Sequence, residues 1–250
     1  MAPAVKIDGS GVVLKIGFPG DLVFLHEAKV LQMLDGRGMV RLLEVDWNNA
    51  AMLLERVEPG ISLKADDDDD RVMSAVATVI QEIAWPIGDT AHFQTVAQLG
   101  EAFQRVREKH NGSSGPFAEG LLHRAESIFK EYTATTEQQY LLHGDLHNDN
   151  ILSSQRGWLA IDPKGVIGPR EYETAAFLRN PFYDLANETH RKERVTRRID
   201  LLSEKLHFDK EKVLNWTFAQ AMLSAVWTLE DHGEINTNYV QSAQLLSEII

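Results

Sequence analysis

The first sixty residues alternate apolar, strand-like runs with turn clusters. Ala4-Val5-Lys6-Ile7 and Val12-Val13-Leu14-Lys15-Ile16 flank Asp8-Gly9-Ser10-Gly11, which predicts a hairpin. Pro19-Gly20-Asp21 ends that pattern and offers Asp21 as a helix N-cap. From 22 to 34, Phe24, Ala28 and Leu31 recur at helical spacing, and Gly36 marks the stop. Two further apolar runs, 40–45 and 51–55, are separated by Asn48-Asn49 and read as a second hairpin. Strand, strand, helix, strand, strand makes a small α+β unit.

Beyond Pro59-Gly60 the period changes. Val72, Val76, Val79, Ile80 and Ile83 form one helical stripe, and Phe117, Leu121, Ala125, Ile128 and Tyr132 form another. Three more helices are expected at about 191–206, 210–230 and 237–250. A single β-island interrupts them: Ile151-Leu152, a turn over 153–157, then Trp158-Leu159-Ala160-Ile161. The five acidic residues from Asp66 to Asp70 lack the spaced ligands of a calcium loop. They read as a solvated loop whose last members favour the N-terminus of the next helix.

Composition narrows the class. The 250 residues are 44% apolar and 25% charged, ordinary for a globular protein. No run approaches the roughly 18 apolar residues of a membrane span, and the N-terminus lacks a signal-peptide core. There is no cysteine, which excludes disulfides, thiolate metal sites and a Cys nucleophile. A cytoplasmic location is expected. The net charge of −12 argues against nucleic acid and anionic membrane as partners and favours a cationic small molecule.

Candidate chemistry sits in Leu141-Leu142-His143-Gly144-Asp145-Leu146-His147-Asn148-Asp149-Asn150-Ile151-Leu152, where an apolar run is broken by a dense set of polar groups. The spacing of Asp145 and Asn150 matches a kinase-type loop, in which an Asp orients the acceptor hydroxyl and an Asn holds magnesium. Asp162, beyond a short hairpin, supplies a charged oxygen that the hairpin returns to Asn150. In the small lobe, Lys15 on its strand is placed to reach nucleotide phosphates and Glu27 on the following helix to pair with it. A metal hydrolase using His143, Asp145 and His147 is a competing reading of the same loop, but it leaves Asn150 and Asp162 unexplained.

His143-Gly-Asp-Leu-His-x-x-Asn150 followed by Ile161-Asp162-Pro163 is similar to the phosphotransferase loop of aminoglycoside kinases, which share the protein-kinase-like two-lobe fold. Gly38-Met-Val-Arg-Leu-Leu43, Met52-Leu-Leu-Glu55 and the stretch from Arg156 to Gly168 resemble the aminoglycoside/hydroxyurea antibiotic resistance kinase family. The resemblance runs in pieces from about residue 5 to about 230. It implies an α+β fold with a small N-terminal sheet lobe over 1–57 and a larger helical catalytic and acceptor-binding lobe over 58–250. It implies ATP and magnesium as cofactors, and a hydroxyl of an aminoglycoside such as streptomycin, or a related amino sugar, as acceptor.

Carried over residue by residue, the resemblance makes Asp145 the catalytic base and Asn150 and Asp162 the magnesium ligands. Lys15 contacts phosphate with Glu27 as partner, and the backbone of Glu55-Arg56-Val57 receives adenine. His143 and His147 support the loop, and Lys164 reads as a solvated loop lysine. The acceptor pocket is expected between the Asp145 loop and the C-terminal helices, with Trp227, Glu230, Asp231 and Glu234 as candidates and Glu171 and Glu173 as further acidic positions. Asp184 reads as a cap or loop anchor. Members of the family usually carry a further strand and a phosphate-covering loop ahead of the lysine, so the small lobe reads as truncated. That departure keeps an alternative in view, a degenerate kinase-like module that binds a small molecule or partner without catalysis.

Overall fold

The structure, a computed structural model, describes residues 1–87, 93–179 and 190–249; Asp184 lies outside them. In chain order the elements are β1 (Ala2–Val5), β2 (Gly11–Ile16), α1 (Leu22–Leu34), β3 (Leu42–Asp46), β4 (Ala51–Glu55), β5 (Pro59–Ser62), α2 (Asp69–Ile83), β6 (Trp85–Pro86), β7 (Gln94–Thr95), α3 (Val96–Lys109) and α4 (Glu119–Thr135). There follow β8 (Tyr140–Leu142), β9 (Ile151–Ser154), β10 (Gly157–Ala160), β11 (Val166–Gly168), α5 (Glu173–Arg179), α6 (Arg191–Leu206), α7 (Lys210–His232) and α8 (Thr237–Ser247). The chain forms two compact units. One is chiefly Met1–Trp85 with Leu141–Val166, the other chiefly Gln94–Tyr140 with Ile167–Ile250. The segment carrying Asp145, Asn150 and Asp162 therefore shares a unit with the N-terminal sheet, across the division expected at residue 57.

The first unit is built on an antiparallel sheet of order β1-β2-β4-β3. Its first strand begins two residues earlier than the apolar pattern suggests, with Ala2 opposite Leu14 and Val5 opposite Gly11. The turn between them is closed by Lys6 donating to the Ser10 carbonyl and by Asp8, whose carboxylate accepts from Ser10. Asp21 caps α1 by accepting from the Val23 amide, as its position ahead of the helix predicts. Alternation along β4 buries Met52 and Leu54 and leaves Leu53 less covered, the period-2 pattern of a half-buried strand.

A second sheet in this unit, β10-β9-β5, recruits a strand that the Pro59-Gly60 turn signal had concealed. Val40 and Gly38 join it through backbone bonds to Ala160 at 3.0 and 2.8 Å. The acidic run is absorbed locally: Asp68 caps α2 through the amides of Asp70 and Arg71, Asp69 and Asp70 occupy its first turn, and Asp66 pairs with Arg71 at 2.7 Å.

The second unit is helical. Its long α7 is buried on every side from Val213 to Val226, which makes it the axis of the core. Around Trp216 lie Phe129, Tyr172 and Tyr132, edge-on at centroid distances of 5.1, 5.2 and 5.6 Å. Truncating a fully buried indole leaves a large void, so Trp216→Ala is expected to cost about 3–5 kcal/mol. Chemical denaturation monitored by circular dichroism tests this, and a loss below about 1 kcal/mol would show that the neighbouring rings close the gap. Among the described residues, no helix is long and apolar enough to cross a membrane.

Candidate active site

The local chain path makes the loop after β8 rigid. Gly144 adopts φ +82°, and a Cβ there would meet Val166 Cγ2 at 2.6 Å, so both conformation and space require glycine. The turn it permits sends the His143 side chain inward, where it is fully buried. His143 Nε2 lies 2.8 Å from the Ile161 carbonyl, and its Nδ1 accepts from the Asp145 amide at 3.2 Å. Both contacts are satisfied by the neutral Nε2–H tautomer. The His143 carbonyl in turn accepts from the amides of Lys164 at 2.8 Å and Gly165 at 3.3 Å. One histidine thus ties the Asp145 loop to the segment around Asp162.

This arrangement has a pH consequence. Burial pushes the His143 imidazole down to about 4, although the Ile161 carbonyl and the Asp145 charge pull the other way. The folded value lies below that of the unfolded chain, so the stabilisation is complete above about pH 6.5 and is lost as pH falls toward 4. Between pH 7.5 and 5 the loss from this group is roughly 2 kcal/mol. Urea unfolding at the two pH values, with His143→Gln alongside, is expected to show a shallower pH dependence in the variant. Equal pH dependence would overturn this assignment.

The hairpin brings the oxygen ligands together. β9 and β10 pair Ala160 with Ile151 and Gly157 with Ser154, so the turn is tighter than the 153–157 expected. Beyond the last pair, the Ile161 amide donates to the Asn150 carbonyl at 2.9 Å, which sets Asp162 next to Asn150. Asn150 donates through Nδ2 to the Asp145 carbonyl at 3.0 Å, and its amide oxygen makes no hydrogen bond among the described residues. His147 caps the short helical turn Asn148–Asn150, its Nδ1 accepting from the Asp149 amide, and its Nε2 lies 3.9 Å from Asp145 Oδ2. From β5 and the turn after it, Ser62 donates to the Asn148 carbonyl at 3.0 Å and steadies the same loop.

Lys15 connects this segment to the N-terminal sheet. Its amine bonds to Asp162 Oδ1 and lies 2.6 Å from Glu27 Oε2. For Asp162, burial alone would raise the pKa, but the hydrogen bond and charge of Lys15 outweigh it and hold the carboxyl below its ordinary range. Glu27 is more deeply enclosed, and there burial prevails over the same lysine and moves its carboxyl upward. For Lys15, the burial that would depress its ammonium is overcome by its two carboxylates, and its pKa rises. The Lys15 ammonium thus favours the ionised form of Asp162, while burial at Glu27 works against its ionised form.

An uncommitted amide oxygen on Asn150 and the adjacent Asp162 carboxylate are hard oxygen donors of the kind magnesium takes, with few protein ligands and the remainder from water or phosphate. The donor set fits that ion. It does not suit the hydrolase reading, because both ring nitrogens of His143 are committed to backbone groups. No group of three or more His, Cys, Asp or Glu able to hold a metal occurs among the described residues.

Glu55 and Val57 border a cleft of about 300 Å³ also lined by Arg56, Ser154, Arg156 and Leu159. The Glu55 side chain is held by the Arg41 amide at 3.0 Å and by Arg156, whose other nitrogen bonds to the Gly36 carbonyl at 2.8 Å. Arg156 went unnoticed as a support because nothing in its local sequence reports a partner 101 residues away. Val57 makes no backbone hydrogen bond among the described residues.

The acidic candidates in the helical unit separate. Glu230 is occupied: Arg105 grips it with Nε and Nη2 at 2.8 and 3.0 Å, a two-point contact that joins α3 to α7. Glu173 is buried at the start of α5, so it is not a solvating surface charge. Trp227 is half-buried and Asp231 exposed, both near the C-terminal end of α7, and Glu234 lies just past its Gly233 cap.

Residues 3–232 match the profile of the aminoglycoside/hydroxyurea antibiotic resistance kinases. Streptomycin 6-kinase of Streptomyces glaucescens is 29% identical, with 92% of this chain and 74% of the relative covered. Hydroxyurea phosphotransferase of Kitasatospora aureofaciens is 32% identical over 93% of this chain and 66% of the relative. Among solved structures, amicoumacin kinase hAmiN in complex with AMP-PNP, Ca2+ and Ami superposes with a TM-score of 0.66 at 14% identity, covering 99% of this chain and 84% of the other. The fold is protein-kinase-like, with an N-terminal sheet lobe and a helical C-terminal lobe. The chain belongs to the aminoglycoside/hydroxyurea antibiotic resistance kinase family and is a phosphotransferase acting on a hydroxyl group.

Proposed function

We propose that this protein transfers the γ-phosphoryl group of ATP, with magnesium, to a hydroxyl of streptomycin or a related amino sugar. The observation that carries the reading is the cluster in the first unit, where Lys15 joins Glu27 to Asp162 and the hairpin sets Asp162 beside Asn150. The relatives named for streptomycin and hydroxyurea support the acceptor class. So does the net charge of −12, which favours approach of a cation.

In this reading the acceptor hydroxyl gives its proton to the Asp145 carboxylate as its oxygen bonds to the γ-phosphorus. The bond from that phosphorus to the β-phosphate oxygen breaks, and ADP leaves. Lys15 holds the α- and β-phosphates, and Glu27 keeps its ammonium aimed. Magnesium, held by Asn150 and Asp162, supplies positive charge to the phosphate oxygens when bound. His143 fixes the loop, and His147 steadies its short helical turn. Adenine lies along the backbone at Glu55 and Val57, where Val57 has hydrogen-bonding capacity to spare. The boundary between nucleotide and acceptor lobes follows this hinge, at 57/58. Trp227 and Asp231 are the acceptor-binding candidates in the helical lobe, and Glu230 acts through its tie to Arg105. The enzyme works in the cytoplasm, where ATP is supplied.

An assay of ATP consumption across streptomycin, other aminoglycosides and amino sugars tests the reading, with Asp145→Ala as the control. Magnesium-dependent turnover with one of these acceptors is expected. Absence of turnover with all of them, alongside retained ligand binding, would identify a binding module instead. Lys15→Ala is expected to raise the KM for ATP by about tenfold or more, as loss of a charge-assisted phosphate contact does. Unchanged ATP kinetics would move the phosphate contact elsewhere.

A further inference from the structure

Lys164 has the wrong surroundings for a simple solvated lysine. Its backbone is fixed, since its amide donates to the His143 carbonyl at 2.8 Å, two residues before Asp145. Its Cβ lies 3.5 Å from the position a Cβ on Gly144 would take, so the side chain starts alongside the Asp145 loop. Its Nζ lies 3.8 Å from Asp162 Oδ2, too far for a hydrogen bond but close enough to feel the charge. The other oxygen of the same carboxylate belongs to Lys15. Asp162 is thus flanked by two ammonium groups of unequal standing. Lys15 is enclosed between two carboxylates, whereas the Lys164 side chain is 40% exposed and its amine makes no hydrogen bond among the described residues.

We propose that Lys164 is a second phosphate-binding cation, one that contacts the terminal phosphoryl group undergoing transfer while Lys15 holds the phosphates that remain on ADP. This rests on the kinase reading above and assigns a further catalytic residue within it. Charge spreads onto the equatorial oxygens of the phosphoryl group as it leaves the nucleotide. A cation anchored beside both the acceptor-orienting aspartate and the metal-binding aspartate is where that charge needs an opposite one. In this role Lys164 acts through its charge and hydrogen bonds and takes no part in proton transfer.

Binding separates this role from a structural one, because AMP-PNP carries the terminal group and ADP lacks it. Calorimetry on the full chain with magnesium compares wild type, Lys164→Met, Lys164→Gln, Lys164→Arg and Lys15→Met. For Lys164→Met, AMP-PNP affinity is expected to fall about tenfold with ADP affinity held within about twofold, and Lys164→Arg is expected to restore most of the loss. Lys15→Met is expected to weaken both nucleotides. If Lys164→Met does not fold, Lys164→Gln provides the same comparison with a polar side chain. Equal affinities of wild type and variant for AMP-PNP, or equal losses for both nucleotides, overturn the assignment while leaving the kinase reading in place. Failure of the wild-type protein to bind either nucleotide overturns the kinase reading, and Lys164 falls with it.

Discussion

Asp145→Ala is expected to lower kcat by roughly a thousandfold, with little change in nucleotide affinity. The expectation follows from how Asp145 is held. Its backbone amide is spent on His143 and its carbonyl on Asn150, so the loop keeps its shape when the side chain is removed. What disappears is the carboxylate that, in the proposed mechanism, orients the acceptor hydroxyl and takes its proton. The loss therefore belongs to the chemical step and not to binding. Steady-state kinetics with the acceptor identified by the substrate panel would measure it, alongside calorimetry with AMP-PNP. Near-normal turnover would remove Asp145 from the mechanism, and a matching collapse of nucleotide affinity would recast it as a structural residue.

Asp162→Ala is expected to be comparably severe, on the order of a thousandfold in kcat/KM, but for a different reason. In the proposed mechanism Asp162 would offer magnesium a charged oxygen, and in the structure it is a partner of Lys15. Without it Lys15 retains Glu27 alone, and both the metal and the phosphate contact lose their setting. A second effect is folded into the alanine variant, because Asp162 sits at φ +61°, a left-handed conformation that Asp and Asn tolerate and that costs alanine about 1 kcal/mol. Asp162→Asn separates the two, since it keeps the backbone preference and removes the charge. The activity loss is expected in both variants and the stability loss mainly in alanine. Full activity in Asp162→Asn would show that the carboxylate charge is dispensable.

How much of this was legible beforehand depended on whether a residue's role is fixed locally. The hairpin of β9 and β10 announces itself by apolar runs around a turn, and it alone implies that Asn150 and Asp162 return to one end. Lys15 and Glu27 were readable only beside the Asp145 loop, since a strand lysine and a helix glutamate taken alone read as surface residues; the structure pairs them at 2.6 Å. By contrast, α3 was not singled out, although its buried Val96, Ala102, Phe103 and Val106 fall at helical spacing, because they are few and interspersed with polar residues. Its start is marked instead by the Thr95–Gln98 capping box, a signal in polar residues that an apolar count passes over. β5 was hidden because its first two residues are Pro59 and Gly60. The pairing of Glu230 with Arg105 spans 125 residues and is set by helix packing, which no local pattern encodes.

The first unit is assembled from two stretches of chain, and this imposes an order on its birth. β1 to β5 leave the ribosome while β9 and β10 are still unmade, so β5 then lacks β9, the strand it pairs with among the described residues, and Val40 lacks the Ala160 carbonyl it bonds to in the finished protein. Lys15 and Asp162 are 147 residues apart, so until the later segment arrives Lys15 has Glu27 as its company in that cluster. The β1-β2-β4-β3 sheet can form on its own strands, but β5 remains an unpaired strand open to mispairing until β9 is made, and the segment that pairs it also carries Asp162. One late stretch of chain therefore supplies both the sheet neighbour of β5 and the second carboxylate of Lys15.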